Sequence, residues 1–129
     1  MKYYHSKLIK NIGFDEAISK VTDSLKEEGF GVLTQIDIRE TLKKKLDEDF
    51  RPYMILGACN PPFAFKALKA EDKIGTMLPC NVIVQQIADG IEVAAINPIA
   101  SMQAVENPEL QVIAQEIQDR LVKVVDGLK

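Results

Sequence analysis

Tryptophan is absent from the sequence, histidine occurs once, and cysteine only twice. Neither a CxxC nor an HxxxH spacing is present, so a zinc site built from Cys59 and Cys80 would lack two of its four ligands, and no metal is expected. There is no GxSxG, no phosphate-binding glycine loop and no HExxH, which leaves hydrolase, nucleotide-binding and metalloprotease chemistries without support, and no cofactor is indicated. No apolar run approaches the roughly 18 residues of a membrane span. The start, MKYYHSKLIKN, has no apolar signal core, so a cytoplasmic protein that does not enter a membrane is expected.

Basic residues are not in excess either. The net charge is −3, which argues against a surface built to neutralise phosphates and hence against nucleic acid as a partner. The longest basic run, Lys43 to Lys45, is followed at once by Asp47, Glu48 and Asp49 and reads as a solvated helix face. Internal repeats and low-complexity tracts are missing, and 129 residues can bury a core without disulfide staples, so residues 1–129 are expected to form a single domain. In a reducing compartment the two cysteines are expected to be free thiols.

What is present is regular patterning. Tyr3 to Ile9 is β-prone, and a helix is predicted from Phe14, with Asp15 and Glu16 in its first turn, an apolar stripe of Phe14, Ala17, Ile18, Val21 and Leu25, and a stop at Gly29. The stretch VLTQIDIRE alternates, setting Val32, Thr34, Ile36 and Ile38 against Leu33, Gln35, Asp37 and Arg39; Asp37 reads as surface. A short helix over Thr41 to Phe50 follows. The runs Tyr53 to Asn60 and Cys80 to Val84 are apolar on both alternating faces, which predicts cover on both sides. Asp89-Gly90 signals a hairpin between Val82–Ala88 and Gly90–Asn97, and Pro108 to Val125 carries a helical stripe of Leu110, Ile113, Ala114, Ile117, Leu121 and Val124.

Asparagine precedes proline three times, at Asn60-Pro61, Asn97-Pro98 and Asn107-Pro108. An Asn oxygen can accept an orphan amide of the first helical turn, and proline at the first helical position needs no donor, so all three read as N-caps. Asn81, which follows Pro79-Cys80, enters a strand instead and could hold the neighbouring connection or point into a pocket. If the strands of Tyr53 and Val82 are antiparallel neighbours, the end of one lies beside the start of the other, bringing Cys59 near Cys80, with register deciding whether they meet. Cys59 precedes a helix N-terminus, a setting that favours thiolate and makes it the better nucleophile candidate.

The order strand, helix, strand, short helix, strand, helix, strand, strand, helix reduces to a strand, a long helix, a four-strand meander and a long helix. The stretches GACNPPFAFKAL, IGTMLPCNVIV and INP make the chain resemble the family called domain of unknown function 302 over nearly its whole length. That resemblance implies an α+β fold with a β-α-β4-α arrangement of the TATA-binding-protein-like class: an antiparallel sheet covered by two long helices with short inserted helices, often as a homodimer. It implies no activity, and analogy with a DNA-binding fold carries no functional weight.

Candidate ligand-binding residues are therefore Cys59, Asn60, Phe63, Cys80 and Asn81, where the two cysteine motifs converge. Against them stand plainer readings: cysteines as buried small hydrophobes, Phe63 and Phe65 packing a short helix onto the sheet, and His5 as a hydrogen-bonded strand residue. Two functions follow from these alternatives, a small-molecule or thiol-linked binding module and a homodimeric interaction protein with core cysteines.

Overall fold

A computed structural model describes residues 2–129. Five strands, β1 (Tyr4–Ile9), β2 (Gly31–Asp37), β3 (Tyr53–Cys59), β4 (Cys80–Ile87) and β5 (Gly90–Ile96), form one antiparallel sheet in the order β1-β5-β4-β3-β2. Between them lie α1 (Phe14–Glu27), α2 (Ile38–Leu46), α3 (Pro61–Ala70), a 3-10 turn (Asp72–Met77) and α4 (Pro98–Ser101); α5 (Pro108–Asp126) closes the chain. The expected α+β class and antiparallel sheet are observed, with the short helices as insertions.

Period explains the two long helices. In α1, Ala17, Val21 and Leu25 recur every four residues and are fully buried, with Phe14 and Ile18 beside them, as the stripe required. In α5 all six stripe residues are buried, joined by Val125. These faces meet the side of the sheet carrying Leu56, Ala58, Cys80, Val82, Val84, Ile91, Val93 and Ala95. Lys7 on β1 reaches across to the carbonyls of Asp126 and Leu128, capping the end of α5. His5 Nε2 lies 2.7 Å from Asp126 Oδ1, and β5 separates its strand from the strand of Cys80.

Several local expectations are corrected. The alternation read across β2 is broken by a bulge between Val32 and Thr34, which inserts Leu33 as an extra residue; Val32 opposes Ala58 on the helix side, while Thr34 and Ile36 oppose Gly57 and Ile55 on the other. Asp37 ends β2 and stays partly exposed, but its side chain has a role not expected of a surface residue: it accepts from the Glu40 amide at 2.9 Å and caps α2. That helix starts at Ile38 and ends at Leu46, earlier than predicted, because a left-handed Asp47 terminates it. The hairpin turn is Ala88-Asp89, and Gly90 opens β5 at φ 149. A Cβ there would stand 2.5 Å from the Ile9 carbonyl, which explains the glycine. Phe65 does not pack α3 onto the sheet; it is 63% exposed, with the Lys69 ammonium over its ring.

Within the chain one of the two expected covers is present. The long helices lie on one face, and the opposite face presents a cross-strand row of Ile36, Ile55, Ile83 and Ala94 bordered by the hydrogen-bonded run Arg51, Gln85 and Glu92.

Candidate functional site

The three Asn-Pro steps diverge in the folded chain. Asn97 and Asn107 cap as expected, each side-chain oxygen accepting from two first-turn amides. Asn60 occupies the corresponding position of α3, yet its side chain makes no cap bond. Instead its Nδ2 donates to the Glu28 carbonyl at 3.3 Å, just beyond α1. The same carbonyl accepts from Arg120 Nη1 at 3.2 Å, and the Arg120 guanidinium lies 5.1 Å above the Phe63 ring. The end of α1, the start of α3 and the body of α5 are thereby tied at one point. Asn60 is the one buried polar or charged residue among those described, at 7% exposure.

Beneath that knot is a cavity of about 270 Å³. Its floor is the sheet, where Ala58 and Cys80 oppose one another in register. One wall is α3, through Ala64, Ala67 and Leu68, and the other is α5, through Leu110, Ile113 and Ile117. Phe30, Leu33, Met102 and the Leu78-Pro79 step complete it. Among the described residues that line it, only Asn60 and the two cysteines are not wholly apolar, and none is charged.

Gly57 allows Pro79 to lie over the sheet at this end. A Cβ on Gly57 would collide with Thr34 Oγ1 and stand 2.8 Å from Pro79 Cγ, so only glycine admits both neighbours.

Both cysteines are free and border the cavity. Register pairs Cys80 with Ala58 and Cys59 with Gly31, so the thiols stand one residue out of step rather than opposed. Burial pushes the Cys80 thiol up from its ordinary 9.0 to about 11, and the nearby Cys59 adds to the rise, because an anion in an apolar wall beside another sulfur is poorly solvated. Cys59 is only partly buried.

Of the five residues selected from sequence, Cys59, Asn60 and Cys80 come together at the cavity. Phe63 is buried under Arg120 outside its lining, and Asn81 is exposed on the other face of the sheet, beside Ile83 and Gln85. The walls on α3 and α5 were missed as site residues. Their signal was present, since Ala64, Ala67 and Leu68 follow Asn60 at helical spacing, but it is the signal of any packed helix. Among the described residues no group of three or more His, Cys, Asp or Glu side chains could hold a metal, and no helix is long and apolar enough to cross a membrane.

The model of the family described as Domain of unknown function DUF302 matches residues 5–128. The chain belongs to that family. The fold is also that of a solved structure described as "Crystal structure of uncharacterized conserved protein DUF302 from Bacillus stearothermophilus": the TM-score is 0.90 and the identity 32%, over 98% of each chain. No curated protein matches. Membership fixes the architecture and assigns no chemistry, so the function of this DUF302 chain has to be argued from its own site.

Proposed function

We propose that the protein is a small-molecule binding module whose ligand occupies the cavity between the ends of β2 to β4 and the α3–α5 layer. The observation that carries this reading is the cavity itself, about 270 Å³ of apolar space bounded by Cys59-Asn60 and Pro79-Cys80 together. A concave, mostly apolar pocket with a few placed polar groups is the usual form of a small-molecule site, and this one opens to solvent past the exposed Leu33 and Leu68. Binding fits the lining better than catalysis does, because the only titratable groups in it are the two thiols. Cys80, kept protonated, acts as apolar wall; Cys59 is the more accessible thiol, through which a reactive ligand could be held. A cytoplasmic location suits a chain whose two cysteines are both free.

Native mass spectrometry of freshly purified protein, beside an Ala64→Phe variant that fills the cavity, tests the proposal. A small organic adduct on the wild type that is lost from the folded variant is expected. Wild type that stays bare after incubation with apolar small molecules would remove it.

A second reading, a homodimeric interaction protein, is favoured by a different observation. The apolar row of Ile36, Ile55, Ile83 and Ala94 crosses four strands on the face away from the long helices, and Ile36 is 46% exposed. A twofold copy of the same face is the commonest cover for such a surface. The two readings are compatible, since cavity and row lie on opposite sides of the sheet.

A further inference from the structure

Asn60 carries an unused acceptor. Its nitrogen must face the Glu28 carbonyl, which can only accept, and this fixes the amide orientation with Oδ1 as the free end. Asn97 and Asn107 each spend that oxygen on first-turn amides, whereas α3 receives no side-chain cap. Among the described residues Asn60 Oδ1 has no hydrogen-bond partner. It is also not a sealed atom, because Gln118 Oε1 is the one fully enclosed side-chain polar atom without a partner there. The residue is 7% exposed and borders the cavity. An amide oxygen open to the pocket is satisfied by water while the pocket is empty, and a ligand that displaces that water without replacing its hydrogen bond loses affinity.

We infer that the cavity takes an uncharged, mostly apolar molecule of about ten non-hydrogen atoms, whose single hydrogen-bond donor is received by Asn60 Oδ1. The inference rests on the binding reading above and specifies its ligand. Size follows from proportion, since an apolar cavity of about 150 Å³ holds benzene. Neutrality follows from the lining, which offers no charged side chain. The nearest guanidinium, that of Arg120, is engaged with the Glu28 carbonyl and the Phe63 ring. A cation would find no carboxylate and an anion no free donor, so either would be desolvated without compensation. A neutral hydroxyl at the end of an alkyl or small ring body satisfies Asn60 and fills the rest with apolar contact.

Titration of isotope-labelled protein with n-octanol, its isomer heptyl methyl ether, and octanoate, followed by the amide shifts of Asn60 and Cys80, tests this. The alcohol and the ether share composition and size but only the alcohol donates. The alcohol is expected to bind about tenfold more tightly than the ether, and octanoate more weakly than either. In Asn60→Leu the preference for alcohol over ether should disappear while binding persists; if that variant does not fold, the wild-type series decides alone. Equal binding of alcohol and ether would overturn the donor assignment and leave the binding module standing. Octanoate binding most tightly would overturn neutrality, and no binding by any probe would overturn both this inference and the function it specifies.

Discussion

Asn60 Nδ2 and the carbonyl oxygen of Glu28 are joined at 3.3 Å across 32 positions of sequence. The bond makes an N-cap residue of one helix into the clasp for the end of another, and Arg120 reinforces it from α5 through the same oxygen. The end of α1, the start of α3 and the body of α5 are joined by these polar contacts beside Asn60, which itself borders the cavity.

Asn60→Ala should therefore destabilise the fold by about 1–2 kcal/mol through loss of the clasp. Asn60→Asp distinguishes this from capping. An aspartate is as good a cap but cannot donate to Glu28, so it should fail to restore stability in chemical denaturation. Full recovery with aspartate would assign Asn60 to capping after all.

Cys80 should make stability depend on alkaline pH. Its thiol is raised from 9.0 to about 11 in the folded protein, so between these values the unfolded chain loses the proton first. Stability is whole below pH 9.0 and declines toward about pH 11, by roughly 2–3 kcal/mol for one group. Denaturation of wild type and Cys80→Ala across that window should show this extra decline in the wild type alone; parallel curves would contradict it.

At neutral pH the same burial orders the thiols. Iodoacetamide should modify Cys59 in the native protein while Cys80 reacts only at the rate of opening, a contrast that peptide mapping at timed intervals would read. Comparable rates would mean that Cys80 is reached without unfolding.

Gly57→Ala should cost about 1–3 kcal/mol, because its Cβ meets both Thr34 and Pro79. Adding Thr34→Ala should recover only part of the loss, since Pro79 still stands in the way. Complete recovery would exclude Pro79 as a constraint.

On the homodimer reading, sedimentation at micromolar concentration should give a dimer, and Ile83→Lys should weaken association about tenfold or more by burying an unpaired ammonium in the apolar row. A monomeric wild type under those conditions would leave the row as exposed surface.

The parts of this protein legible from sequence are those that chain-local chemistry specifies. The stripes of α1 and α5 repeat at helical period, so their buried faces follow from spacing alone. The caps at Asn97 and Asn107 need only a side chain and amides two or three residues onward. The pairing of β4 with β5 also follows from a two-residue turn, whereas the nearness of Cys59 to Cys80 followed only on condition that β3 and β4 pair, which the sheet order meets.

Other features depend on partners that local spacing does not reach. An extra residue at Leu33 turns the face of β2 without altering its composition, and it is revealed only by what β3 offers opposite. Asn60-Pro61 reads like the other two Asn-Pro steps, but the end of α1 competes for its side chain, and a contact between distant segments overrides the cap. The same holds for the cavity. Each wall is an ordinary apolar stripe, and whether such stripes close on one another or stand apart is set by how far α3 and α5 sit from the sheet, a distance determined by the packing of the whole core.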